Sequence, residues 1–188
     1  SPEPEKALKA ADALRDLVPD AGHLIHMPTH IDVLCGDYEK VVRWNRRAIA
    51  ADLKYYAENG AFNVYTGYRQ HNYHFVMSGA MYLGQMGPKA MLEITSPPMA
   101  DYFETILAME PHVLIRFGRW EEILALPLPE DRTLYCVRVA FVEYAKALAL
   151  ASLGRVEEAT AQEERFQAAR AKVPETRLLH NVRTVDLL

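Results

Sequence analysis

The stretch Gly154-Arg155-Val156-Glu157-Glu158-Ala159 decides how this chain is read. An apolar run at helical spacing precedes its glycine and a second run follows it, so the glycine marks a turn between two helices. The same form recurs at Gly36-Asp37-Tyr38, Gly84-Gln85-Met86 and Gly118-Arg119-Trp120. Successive turn glycines lie 48, 34 and 36 residues apart. Throughout, apolar residues return at intervals of 3 and 4, and the alternation that marks a strand is nearly absent. The pattern predicts an all-α chain of helix pairs, read as a single domain over 1–188.

Bulk composition narrows the functions. The chain has 188 residues, half of them hydrophobic and a quarter charged, with a net charge of -4. That is ordinary for a globular domain with a real core. No basic run is present to neutralise phosphates, which argues against nucleic acid. No apolar stretch approaches the ~20 residues of a membrane span. Ser1 to Lys9 is charged and proline-containing, unlike a secretory leader. Cys35 and Cys136 could pair but read most simply as buried free thiols, and a cytoplasmic protein is expected. H-E-x-x-H, C-x-x-C, G-x-G-x-x-G and P-loop patterns are absent, so the common protease, redox, dinucleotide and nucleotide signatures are missing.

The histidines are not scattered. Six of the seven take equivalent places relative to the turn glycines. His23 and His71 lie 13 residues before their glycine, His26 and His74 lie 10 before, and His30 and His112 lie 6 before. His23, His26 and His30 are spaced by 3 and 4, which on a helix puts them within roughly 60° of one another. Pro28 interrupts that helix or begins a new one, because it cannot donate to the carbonyl of Leu24.

In its repeat length and its turn, the chain resembles the tetratricopeptide-repeat family over nearly its whole length. Gly154 to Ala159 matches that family's turn and small-residue motif. Val41 and Ile123 depart from it by filling the small position, and Gly87-Pro88 inserts a residue in the second repeat. The resemblance implies a right-handed α-solenoid of about 3–4 helix pairs with incomplete repeats at both ends. Pro19 falls on the family's closing proline, with Ala7, Ala11 and Leu14 at packing positions of a second helix. Arg177 to Leu188 reads as a first helix without its partner. A fragment of a longer chain is therefore expected, with homodimerisation through the unpaired end helices as one way to cover their apolar faces. The surplus between Gly36 and Gly84 falls around Lys54 to Arg69, as a long loop or as an extended helix followed by a loop.

Two shorter motifs, His26-Met-Pro-Thr-His30-Ile31 and Tyr68-Arg-Gln-His71-Asn-Tyr-His74-Phe75, resemble signature segments of a bacterial subgroup of that family. Asn45, Ala48, Ile49 and Asp52 look like the same subgroup. In the family at large, first helices line a concave groove that takes peptides, so the resemblance implies a groove faced by imidazoles here.

Imidazoles on facing helices can converge on one ion and suit zinc, copper, iron or nickel. His26, His30, His71 and His74 are the expected ligands, with His23 and His112 as further ligands or acid/base groups. Tyr65, Tyr68 and Tyr73 are expected to close over a ligand. Glu110, Glu104, Asp32 and Tyr144 are candidate oxygen ligands or partners of the ligating rings. Met77, Met81 and Met86 are candidate soft ligands, though methionine at helical spacing is commonly core. Three readings stay open: a metal centre, catalytic or not, with a small molecule at the ion; a groove binding a protein or peptide without metal; and histidines that only fill the core.

Overall fold

The computed structural model describes residues 2–60, 63, 65–85, 97–179 and 182–188. These are mostly helical. Contacts divide the chain into two compact units, Ser1–Ala90 and Met91–Leu188, each with its own core.

In the first unit a 3-10 turn leads into α1 (Leu8–Arg15), followed by α2 (Gly22–His26), α3 (Thr29–Cys35), α4 (Tyr38–Asn59) and α5 (Tyr65–Tyr82). Of the surplus around Lys54 to Arg69, the described part is largely helix: α4 runs for 22 residues before Gly60 ends it, α5 resumes at Tyr65, and residues 61, 62 and 64 lie outside the described residues. Asp37 starts α4 by accepting a hydrogen bond from the Lys40 amide at 3.1 Å, satisfying one of the amides a helix start leaves unpaired. Helices α4 and α5 pack through Val42, Ile49, Val76 and Ala80. Gly79 lets them approach closely, since a β-carbon there would meet Val41 and Val42 at 3.0 and 3.1 Å. Ile25 of α2 packs on Ala48 and Ala51, with Trp44 at the margin.

The second unit contains α6 (Pro97–Leu107), α7 (Glu110–Arg116), α8 (Trp120–Ala125), α9 (Cys136–Ser152) and α10 (Val156–Arg170). Its cores are Leu114, Ile123, Ala145 and Ala149, and a second group built around Val137, Phe141 and Phe166. Val41 and Ile123, which fill the small position, are both fully buried.

The turn glycines share one geometry. Gly36, Gly84, Gly118 and Gly154 all have φ between 62° and 75°. Beyond each, the next amide reaches back five residues: Asp37 to Asp32 O, Gln85 to Ala80 O, Arg119 to Leu114 O and Arg155 to Leu150 O, at 2.7–3.0 Å. This bond pattern closes a helix around a left-handed residue, a conformation in which other side chains are strained.

The C-terminus corrects one expectation. Among the described residues of 177–188 there is no α-helix: β1 (Leu178–Leu179) pairs antiparallel with β2 (Val182–Arg183), and a 3-10 turn follows. Pro174 precedes the segment, and Val182 of β2 is β-branched, which favours extended backbone. Tertiary bonds then hold it: Arg177 Nε donates to Glu104 Oε2 at 2.9 Å, Arg177 also pairs with Asp101, and the Thr184 amide donates to Arg177 O at 2.8 Å.

Candidate metal centre

The site lies within the first unit. Pro28 does start a new helix: α2 ends at His26, Met27 and Pro28 keep near-helical backbone, and α3 begins at Thr29. The break costs little direction, so His30 still meets His26. The Thr29 hydroxyl donates to His26 O at 2.7 Å, supplying a bond that the interrupted helix leaves unmade.

Asn45, on α4, orients the central ring. Its Nδ2 donates to Val41 O at 2.8 Å and to Thr29 Oγ1 at 3.0 Å. With both amide hydrogens committed, Oδ1 is the atom facing His26 Nδ1, at 2.7 Å. An amide oxygen only accepts, so His26 Nδ1 carries the proton and Nε2 carries the lone pair. That Nε2 is 3.0 Å from His30 Nε2. His26 is fully buried, and loss of solvent pushes its pKa down to about 4, aided by the neighbouring His30, His23 and His74 and opposed by the Asn45 bond. The ring is neutral at pH 7, as a metal ligand must be.

His71 comes from α5. Its ring centre is 4.8 Å from His26 and 5.8 Å from His30. One nitrogen from each of His26, His30 and His71 lies within 4.8 Å of the others. Two nitrogens bonded to one zinc at ~2.0–2.1 Å sit roughly 3.3 Å apart when tetrahedral and about 4.2 Å at most. The His26–His30 pair, at 3.0 Å, is at hydrogen-bond distance and slightly closer than that, and the group's 4.8 Å limit is slightly wider. Phe75 packs edge-on against all three rings at 4.6–4.8 Å, giving the cluster an apolar wall.

Two further histidines flank the three. His74 is 6.0 Å from His71 between ring centres. His23 is 5.9 Å from His26 and stacks on Tyr68 at 4.0 Å. His112 belongs to the second unit, on α7, with Phe141 at 4.7 Å and Tyr144 at 6.3 Å. Burial lowers its pKa.

The other candidates fall in varied places. Tyr65 lies 6.1 Å from Tyr68 and 4.7 Å from Tyr55. Tyr73 packs against the α4–α5 core. Glu110 accepts from Arg138 at 3.2 Å. Tyr144 rests against Phe166. Fully buried Glu104 takes Arg177 and the Arg138 amide, and Asp32 pairs with Arg15 at 2.7 Å. Met77 is core, and Met86 lies outside the described residues.

Two partners went unassigned in the sequence reading. Asn45 was noticed only as part of a resemblance, yet an asparagine inside the apolar face of α4 was its signal. Asp52 is buried beneath α2, where its Oδ2 accepts from Asn72 at 2.8 Å. Burial raises its pKa to about 6, against the Asn72 bond and Arg69. Gly22 leaves space for this carboxyl: a β-carbon there would lie 2.0 Å from Asp52 Oδ1.

Compared with known proteins, the chain matches no family model, no curated protein and no solved structure. Among the described residues, no helix is long and apolar enough to cross a membrane.

Proposed function

We propose that this is a tetratricopeptide-like helical-repeat protein whose first unit binds a transition metal ion, zinc, copper, iron or nickel, through His26, His30 and His71. The observation that carries the reading is the oriented lone pair of buried His26 Nε2, 3.0 Å from His30 Nε2, in a cluster completed by His71. An imidazole whose other nitrogen is held by a fixed acceptor is the usual arrangement of a ligating histidine. Four equivalent glycine caps support the repeat assignment and a solenoid of helix pairs.

Three protein ligands leave a coordination position open, as catalytic sites do. The bound ion supplies a Lewis acid or an activated water there. His23 and His74 are placed beside the ligands to hold or move a proton, and Phe75 excludes water from one side. A cytoplasmic setting is supported by the exposed free thiol of Cys35, which an oxidising compartment tends to pair.

A second reading is a peptide-binding module without metal. It is favoured by a groove of about 440 Å³ between α9 and α10, lined by Tyr144, Leu148, Val156 and Phe166.

Metal content decides between them. Untagged protein purified without chelator is measured by plasma mass spectrometry beside a His26→Ala/His71→Ala variant. Near-stoichiometric metal in the wild type and none in the variant supports the metal centre. No metal in either, with no uptake of micromolar zinc, copper, iron or nickel, overturns it in favour of peptide binding.

A further inference from the structure

We infer that the ion held by His26, His30 and His71 takes, at its open position, an organic carboxylate with a flat aromatic body. The inference rests on the metal reading above and adds the class of ligand.

Charge is the first argument. The three ligands are imidazoles, and among the described residues no carboxylate belongs to the group. A divalent ion held by neutral donors keeps its full charge. Its surroundings are fully buried His26 with half-buried His30, His71 and Phe75, where water screens less than in bulk and attraction for an anion is correspondingly stronger. The open position therefore prefers an anionic oxygen to a neutral one.

His23 is the second. Its ring lies 5.9 Å from His26, and its Nδ1 is buried with no hydrogen-bond partner among the described residues. A buried polar nitrogen left without a partner costs stability unless something uses it. A neutral imidazole can give an N–H to the second oxygen of a carboxylate.

Aromatic surface is the third. Tyr68 stacks on His23 at 4.0 Å and remains 37% exposed. Tyr65 follows at 6.1 Å from Tyr68, and Tyr55 at 4.7 Å from Tyr65, again 37% exposed. Phenol rings thus run from solvent to His23. So much exposed ring surface contributes little to a core, and it offers a face to a flat molecule. Offset stacking on one tyrosine is worth up to roughly tenfold in affinity.

The test uses cobalt(II)-loaded protein, whose visible bands report the ligands of the ion. Benzoate, acetate and neutral benzamide are titrated separately. Benzoate is expected to shift the bands saturably, acetate at concentrations about tenfold higher, and benzamide not at all. In a Tyr68→Leu variant, whose own cobalt spectrum shows the site intact, benzoate falls to the level of acetate. Benzamide acting as well as benzoate overturns the charge argument. Equal affinity for acetate and benzoate, or a benzoate preference that survives in Tyr68→Leu, overturns the aromatic one. Protein that takes up no cobalt defeats the metal reading itself. Protein that binds cobalt with bands unmoved by all three probes defeats only this inference.

Discussion

Asn45 Oδ1 stands 2.7 Å from His26 Nδ1, and that bond settles which nitrogen of a fully buried imidazole is left to act. Asn45 can play this part because Val41 O and Thr29 Oγ1 consume its amide hydrogens. The ring is thus oriented by α4, an element that contributes none of the proposed ligands.

Replacing Asn45 by leucine removes the acceptor while keeping the bulk. Metal affinity is expected to fall by roughly 10–100-fold, the usual effect of losing the partner of a ligating histidine. Calorimetric titration with zinc measures it. Unchanged affinity in a folded variant would mean that the Asn45 bond does not prepare His26.

Gly22 is held small by its neighbours. A β-carbon there would sit 2.0 Å from Asp52 Oδ1 and 2.7 Å from Ala48 O, and the latter is backbone. Gly22→Ala is expected to cost about 2 kcal/mol or more through overpacking. Urea denaturation of the metal-free protein gives the number, and a cost below ~0.5 kcal/mol would show that α2 moves away freely.

Acid stability should depend on an opposition between two buried groups. His26 binds its proton near pH 4 when folded and near 6.5 when unfolded. Its contribution is present above pH 6.5 and is lost as pH falls toward 4. Asp52 does the reverse: folded, it keeps its proton up to about pH 6, against 3.8 unfolded. Its contribution is present below pH 3.8 and is lost as pH rises through 6. The two nearly cancel between pH 4 and 6, where His23 and His112, lowered by burial, add to the loss on acidification and Glu104, raised by burial, opposes it. In Asp52→Asn the opposing contribution is gone. The stability lost between pH 6.5 and 4 should then exceed that of the wild type by on the order of 3 kcal/mol. Parallel curves for the two metal-free proteins would contradict the assignment.

Arg177 and Glu104 form a buried ion pair at 2.9 Å. Arg177→Met leaves the carboxyl of Glu104 without its guanidinium and is expected to cost about 3–5 kcal/mol. Adding Glu104→Gln should restore a good part of that. Thermal or urea melts of the single and double variants test the coupling, and strictly additive losses would refute it.

The turns were legible because their cause is local. A left-handed cap needs glycine within a few residues of a known place, so Gly36, Gly84, Gly118 and Gly154 announce the helix ends without reference to the rest of the chain. The histidine register was legible for a related reason: helical spacing places His23 with His26, and His71 with His74. Arg177 to Leu188 misled because its apolar spacing suits a helix, while distant groups, Glu104, Asp101 and Thr105, hold it as a hairpin. Spacing alone likewise does not show that Tyr73 packs on the α4–α5 core and His112 on Phe141.

Order along the chain therefore settled the helical class, the glycine caps and the candidate imidazoles, because each depends on neighbours one turn away. Which imidazoles meet, which nitrogen of His26 bears the proton and which carboxyls are taken by arginines were settled only by packing. Apart from His26 with His30, one turn away, those outcomes turn on contacts between residues far apart in the chain, such as His26 with Asn45, 19 positions apart, and Glu104 with Arg177, 73 apart. Periodicity cannot encode such contacts, because it specifies the face a side chain occupies and leaves open what the fold brings against that face.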